Sequence, residues 1–381
     1  MTQFQPARRF IPVSQPALRG NEKQYVLQCL EENWISSNGR FIDAFEKEFA
    51  RFCGVQHAIP CCNGTAALHV LLAALGVGPG DEVLVPNLTF IATANAVTYC
   101  GARPVLVDCD PITWNIDPAH LAGLITEKTK GIIAVHLFGL PADMQELEKI
   151  AASHGLFLIE DAAEAHGASY RGRKAGSLAR AGIFSFYGNK IITTGEGGMV
   201  TTDDPELAGK VRILRGQGMQ PDRRYWFPTV GYNYRMTNIA AAIGLGQLED
   251  IEWHLSERQR IAAEYRQHLS SSDLIQFQPE PEPEHGTHAH WSVAILVRGA
   301  TEQQRDAIMV HLLAADVETR PLFYPLDSMP PYKSAAPPLP VSKAIAECGI
   351  MLPTFSGLES AEVDYISATL LAAIEANVYQ A

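Results

Sequence analysis

Gly155-Leu156-Phe157-Leu158-Ile159-Glu160-Asp161 is the stretch from which the fold of this sequence is read. Its short apolar run, bounded by a glycine and two acids, has the composition of a strand covered on both faces, the kind that builds parallel sheets. Asp161 closes the run. In open α/β sheets the carboxyl ends of such strands line the ligand crevice. Read alone, an aspartate here is also a helix cap, because the following Ala162-Ala163-Glu164-Ala165-His166-Gly167 has a helix-like composition.

Further along, Gly182-Ile183-Phe184-Ser185-Phe186-Tyr187-Gly188-Asn189-Lys190 places a lysine among small and apolar residues. The Gly-rich Thr194-Gly195-Glu196-Gly197-Gly198 follows, and an apolar strand resumes at Met199-Val200-Thr201-Thr202. A lysine on a surface is ordinarily solvated, whereas one desolvated in such a setting is a better nucleophile. Lys190 with Asp161 reads as a pyridoxal phosphate site. The amine holds the aldehyde as a Schiff base and shuttles protons, and the carboxylate keeps the pyridine nitrogen protonated. In Cys62-Asn63-Gly64-Thr65-Ala66-Ala67-Leu68-His69 a small-residue turn opens an amphipathic helix running to about Leu75. Free N–H groups at a helix start suit a phosphate, and the Ser185 hydroxyl is a candidate for the same group.

Outward from these segments, Glu82 to Pro86, Pro104 to Asp108, Gly131 to His136, Leu156 to Ile159 and Ile183 to Phe186 alternate with helical patterns. That is the signature of an α/β fold with a mainly parallel central sheet. Charged helical sequence from 241 to 268 leads to the Pro/Glu stretch Gln278 to Glu284, read as the passage into a smaller unit. That unit holds a strand over Ser292 to Val297 and helices near 302 to 315 and 360 to 376. The expected division is 1–250 for an N-terminal segment and large cofactor-binding domain, and 251–381 for a small α+β C-terminal domain. Gly76-Val77-Gly78-Pro79-Gly80 imitates a dinucleotide-binding loop, but it follows a helix and precedes a strand. It reads instead as a helix stop and turn.

The chain has 381 residues, 47% of them hydrophobic, enough for a sizeable core. No apolar run has the length of a membrane span, and the polar start Met1 to Arg9 lacks the apolar stretch of a signal peptide, so the expectation is a cytoplasmic protein. The seven cysteines are scattered without zinc-type spacing and read as reduced thiols, with no metal expected. A net charge of -12 disfavours nucleic acid as a partner while leaving room for a local basic pocket.

Asn63-Gly64-Thr65, Glu160 to Glu164, Ser185 to Lys190 with Thr194 to Gly198, and Gly231-Tyr232-Asn233-Tyr234-Arg235-Met236 together resemble the sugar aminotransferases of the DegT/DnrJ/EryC1/StrS family. Members of that family are fold type I pyridoxal phosphate aminotransferases, and the resemblance covers essentially the whole chain. It implies that Lys190 carries the cofactor, Asp161 pairs with the pyridinium nitrogen and Phe90 stacks on the ring. It further implies that Glu164 approaches the cofactor hydroxyl, where many members have glutamine. Gly64, Thr65 and Ser185 would hold the phosphate. Asn233, which also reads as a cap or turn residue, would reach it from the second subunit of a homodimer with shared active sites. Family dehydratases carry histidine in place of this lysine, so Lys190 points to amino transfer.

Within the family, Leu214 to Met219, Arg224-Tyr225-Trp226 and Thr319 to Pro325 resemble the branch that acts on GDP-4-keto-6-deoxy-D-mannose. The implied reaction moves the amino group of L-glutamate, by way of pyridoxamine phosphate, to C4 of a nucleotide-linked 4-keto-6-deoxy sugar. Arg215, Arg223, Arg224 and Arg320 are candidate diphosphate contacts and equally candidate salt-bridge partners. Tyr324 is a candidate sugar contact or a buried tyrosine with a satisfied hydroxyl. His136 and His166 read as packing histidines. The alternatives are a dTDP- or UDP-linked sugar, a non-catalytic regulator, which would need an attached DNA-binding module, and a nicotinamide-dependent sugar oxidoreductase.

Overall fold

The structure is a computed structural model that describes residues 10–333 and 339–378; the polar start Met1 to Arg9 lies outside the described residues. Helices α1 (Glu22–Glu31) and α2 (Arg40–Cys53) come first. Then β1 (His57–Cys61), α3 (Gly64–Ala74), β2 (Glu82–Pro86), α4 (Ala92–Tyr99), β3 (Arg103–Val107), α5 (Pro118–Ala122), β4 (Thr129–Val135), α6 (Met144–His154) and β5 (Phe157–Asp161) alternate. Two short strands, β6 (Ser169–Tyr170) and β7 (Arg173–Lys174), precede β8 (Ala181–Ser185), β9 (Gly198–Thr202) and α7 (Pro205–Arg215). The chain continues through α8 (Asn238–Glu249), α9 (Ile251–Leu269), β10 (Ile275–Phe277), β11 (Gly286–Thr287), β12 (Val293–Val297) and α10 (Glu302–Ala314). It ends with β13 (Arg320–Pro321), α11 (Pro340–Cys348), β14 (Gly349–Leu352) and α12 (Ser360–Val378).

Seven strands form the central sheet in the order β1-β9-β8-β5-β4-β2-β3. From β3 to β8 every pairing is parallel, as the apolar runs predict; β9 lies antiparallel to both β8 and β1. All of β2 is buried, and so are Gly131 to Val135 of β4, because helices cover both faces of a parallel sheet. The chain order reverses at β2, which pairs with β3 on one side and β4 on the other. That reversal opens a crevice at the carboxyl ends, where the loops after β2, β4 and β5 meet.

On α2, Phe41, Phe45, Phe49 and Cys53 recur every fourth residue, which puts them on one face, and all are buried. Phe49 packs edge-on against Phe184 of β8 and Phe186 just beyond it. Burying each such ring contributes roughly 2–3 kcal/mol. This packing fixes the end of β8, from which the chain runs on to Lys190.

The helix expected after Asp161 does not form. Residues 162–167 make two successive turns, Ala165 N–H to the Ala162 carbonyl and Ala168 N–H to the Ala165 carbonyl. The reason is local: Gly167 takes a left-handed φ of 79° that no helix continues, which leaves too few residues after Asp161 for more than these turns. Gly76 to Gly80 forms the helix stop and turn that the sequence predicts, with φ of 81° at Gly76 and 91° at Gly80.

A second sheet of four strands, β10-β12-β14-β13, shares a core with α9, α10 and α12 around Ile295, Val297, Ile308 and Leu370. The Gln278 to Glu284 stretch lies between β10 and β11, after α9. It returns to the connections after β3 and β4, where Gln278 donates to the carbonyls of Thr113 and Leu137. Among the described residues, no helix is long and apolar enough to cross a membrane.

Candidate active site

Asp161 is the last residue of β5 and is buried at the crevice. Thr93, at the start of α4, donates its hydroxyl to Asp161 Oδ2 at 2.8 Å, and the Ala163 N–H reaches Oδ1 at 3.2 Å. Burial pushes the Asp161 carboxyl above its ordinary pKa, opposed by the Thr93 hydroxyl, the Ala163 N–H and the charge of Lys190. Thr89 lies 3.2 Å from Thr93, oxygen to oxygen, and extends the hydroxyl chain.

Lys190 sits in a turn closed by its own N–H on the Tyr187 carbonyl at 2.9 Å. Its side chain is only 11% exposed, and Nζ lies 3.4 Å from Glu164 Oε1. The other oxygen of Glu164 accepts the Phe138 N–H at 2.9 Å. Burial raises the Glu164 carboxyl, with Lys190 and the Phe138 N–H pulling it down. Phe138 has a left-handed φ of 56°, a strained conformation for a side-chain-bearing residue. Asn115 braces that turn on both sides, accepting from Leu137 N–H and donating to the Leu140 carbonyl, each at 3.0 Å.

His136 and Glu160 form a buried pair beneath the site. Glu160 accepts from His136 Nε2 at 3.0 Å and from the N–H groups of Gly176, Leu178 and Ala179. The Ala142 N–H donates to His136 Nδ1, so the imidazole proton belongs on Nε2. Every polar atom of the pair is used within the fold, in keeping with the packing role read for His136.

Gly64, Thr65 and Ser185 meet where α3 begins. Asn63 caps the helix by accepting the Ala66 N–H at 2.8 Å, which leaves the Gly64 and Thr65 N–H groups without intrahelical acceptors. A Cβ on Gly64 would stand 2.8 Å from Ser185 Cβ, so only glycine allows the helix start to approach the end of β8 this closely. Two unsatisfied N–H groups, a helix dipole and a serine hydroxyl converge there, a donor set that fits a phosphate. With a buried carboxylate and a lysine amine near one another on the same crevice, the residues present fit pyridoxal phosphate.

The remaining candidates are more scattered. Phe90 is 56% exposed after β2, with its ring 5.9 Å from Phe323. Asn233 is exposed between α7 and α8, its backbone bridged to Gly216. The Arg215 guanidinium donates to the Pro60 carbonyl, Arg223 lies over the Trp226 ring at 4.1 Å and Arg224 over Tyr225 at 5.0 Å. Arg320 is 3.3 Å from Glu318, and Tyr324 is half exposed. Among the described residues no cluster of histidine, cysteine or carboxylate side chains is arranged to hold a metal. Sequence reasoning missed Thr93, Phe138 and Trp291, whose ring covers Lys190 Nζ at 4.0 Å. Only the Phe138-Gly139 turn just after a strand end offered a local signal.

The comparisons with known proteins agree with this geometry. The profile of the DegT/DnrJ/EryC1/StrS aminotransferase family matches residues 16–371. The GDP-perosamine synthase of Caulobacter vibrioides is 53% identical over 361 residues, 94% of this chain and 97% of that protein. The GDP-perosamine synthase of Escherichia coli O157:H7 is 46% identical over 358 residues, 94% of this chain and 97% of that one. Among solved structures, a Streptococcus pneumoniae protein described as a sugar aminotransferase, in its PMP form, superposes with a TM-score of 0.93 at 29% identity. That match covers 98% of this chain and 99% of the other. The PLP form of the same protein gives 0.92. Helicobacter pylori PseC, an aminotransferase of pseudoaminic acid biosynthesis, gives 0.91 at 26% identity, over 97% of this chain and all of that one. A profile match across nearly the whole length, over a site with lysine, aspartate and helix-start glycine in place, means that this chain belongs to the DegT/DnrJ/EryC1/StrS aminotransferase family.

Proposed function

We propose that this protein uses pyridoxal 5'-phosphate to move the amino group of L-glutamate to C4 of GDP-4-keto-6-deoxy-D-mannose, giving GDP-perosamine. The observation that carries the chemistry is the largely covered Lys190 Nζ 3.4 Å from Glu164, on the same crevice as Asp161. The choice of sugar is supported by identities of 53% and 46% to two GDP-perosamine synthases. When bound, the cofactor supplies an electrophilic carbon that accepts an amine and a ring that takes up electrons, cycling through its pyridoxamine form.

The residues divide the work by position. Lys190 would hold the cofactor and, once displaced from it, its Nζ would hold and move a proton, a positioned acid and base in one group. The buried carboxylate of Asp161 would pair with the ring nitrogen, and Glu164 would approach the ring hydroxyl. The N–H groups of Gly64 and Thr65 and the Ser185 hydroxyl would take the phosphate, and Phe90 would cover the ring. Asn233, exposed in its own chain, completes the phosphate site of a second copy in a homodimer. Exposed Tyr225, Trp226 and Phe227 in the same segment supply apolar surface for such an interface.

In this reading Arg223, Arg224 and Arg320 are the candidate contacts of the nucleotide diphosphate and Tyr324 that of the sugar. Arg215 spends its guanidinium on Pro60 and serves the fold first. The division is 1–250 for an N-terminal segment and the cofactor-binding domain and 251–381 for the smaller domain, with Ile11 of the N-terminal segment packed into the smaller domain's core beside Val317. The setting is cytoplasmic supply of an amino sugar for surface polysaccharide such as the O-antigen of lipopolysaccharide.

The test converts the protein to its pyridoxamine form and mixes it separately with GDP-, dTDP- and UDP-linked 4-keto-6-deoxy sugars. Return of the cofactor's visible absorbance with the GDP sugar alone is expected. Return with a dTDP or UDP sugar instead overturns the choice of nucleotide, and return with none overturns the sugar reading.

A further inference from the structure

Trp291 makes three polar contacts, and each fixes it with respect to the reactive lysine. Its indole N–H donates to the Asn189 carbonyl at 2.7 Å, one residue before Lys190. Its backbone N–H donates to the Phe138 carbonyl at 3.0 Å, and its carbonyl accepts from the buried Arg258 at 2.8 Å. The ring stacks on Phe138 with an interplanar angle of 9° and presents its face to Lys190 Nζ at 4.0 Å. These contacts close a circuit. Lys190 meets Glu164, Glu164 accepts the Phe138 N–H, Phe138 accepts the Trp291 N–H, and Trp291 returns to Lys190.

We infer that Trp291 is a positioning residue for amino transfer, holding the free amine of Lys190 between its ring face and Glu164. The inference rests on the proposed role of Lys190 as the group that binds cofactor and moves the proton. An ammonium over an aromatic face is attracted by the ring quadrupole, most strongly over tryptophan and in a desolvated place. Glu164 alone leaves the four-carbon lysine stem free to swing. The ring closes the opposite side, and because the indole is bonded to the backbone next to Lys190, ring and amine keep register. A buried indole N–H needs a partner in any case, but a tryptophan that only filled the core would have no need to bring its ring face to Nζ.

The test uses the full chain without cofactor, reductively methylated with ¹³C-formaldehyde, and reads the methyl resonance of Lys190, assigned by its absence in Lys190→Ala. The resonance is expected upfield of the other lysines through the ring current of Trp291. An ordinary position in the unsubstituted protein overturns the inference without any further variant. Trp291→Phe, which retains a face, should keep much of the shift and amino transfer within about threefold. Trp291→Leu should lose the shift and about tenfold in kcat, with KM for the sugar little changed. If Trp291→Leu is folded by its melting curve yet shows an unmoved resonance or unaltered kcat, the inference fails. The outcomes separate from those of the proposed function: the resonance is read whether or not any sugar is aminated. An upfield shift with no sugar turned over sinks the substrate reading alone, and amination without the shift sinks this inference alone.

Discussion

The hydroxyl of Thr93 donates to Asp161 Oδ2 at 2.8 Å, tying the helix after β2 to the end of β5 across 68 positions of sequence. The carboxyl it supports is already raised by burial, and a raised carboxyl spends more time neutral as pH falls. Thr93→Val keeps the shape and removes the donor, so the Asp161 pKa should climb further. Pyridoxal phosphate affinity is expected to fall about tenfold at mildly acidic pH, with the deficit shrinking as pH rises and the carboxylate re-ionises. Cofactor titrations of the two proteins across pH check this; superimposable profiles would falsify the role of Thr93.

Lys190→Ala removes the amine proposed to anchor the cofactor and move the proton. Amino transfer is expected to fall by at least about 10³-fold. Borohydride reduction followed by peptide mass spectrometry should find a pyridoxyl group on the Lys190 peptide of the unsubstituted protein and none in the variant. A label on another lysine would move the site elsewhere.

Gly64→Ala places a methyl group 2.8 Å from Ser185 Cβ and 3.3 Å from its Cα, so the start of α3 or the end of β8 must shift. Overpacking of this kind costs about 1–3 kcal/mol. The melting temperature should drop by several degrees, and the further gain on adding pyridoxal phosphate should shrink, because the displaced N–H groups no longer converge on the phosphate. Scanning calorimetry with and without cofactor measures both. A full cofactor gain in the variant would remove Gly64 from the phosphate site.

His166 is buried against Phe49, Phe184 and Phe186, and burial, reinforced by the Lys190 charge, pushes its imidazole from 6.5 down to about 3. The unfolded chain therefore binds a proton that the folded chain refuses across that range. The sign follows: this contribution to stability is complete above about pH 6.5 and is lost as pH falls toward 3. Between pH 6.5 and pH 5 it amounts to about 2 kcal/mol. His166→Leu should flatten the acid side of the stability profile by that amount in urea unfolding, even if its stability at neutral pH is lower. An unchanged acid slope would show that His166 takes up its proton in the folded state.

How far the sequence could be read depended on whether the information was local. Gly155 to Asp161, Gly64 at a helix start and Lys190 in a small-residue turn carry their meaning within a few neighbours. The strand direction of β9 and β1 does not, since His57–Cys61 and Gly198–Thr202 have the same apolar composition whichever way they run. The helix-like composition of Ala162 to Gly167 is overridden by one left-handed glycine, Gly167. Thr93 and Trp291 reach the site only through the tertiary fold, and no pattern near them announces it. Glu164 was read through family resemblance, but its tie to the Phe138 N–H, 26 residues away in a turn with positive φ, was not.

The indole of Trp291 is 102 positions beyond its partner Asn189, and that spacing sets a schedule for biosynthesis. At a ribosomal pace of about 5–20 residues per second, Lys190 leaves the peptidyl-transferase centre roughly 5–20 seconds before Trp291 has been added. During that interval the lysine is an ordinary amine on an unfinished chain. The enclosed pocket around it is thus a late product of translation, completed only when a segment from the far side of the molecule arrives.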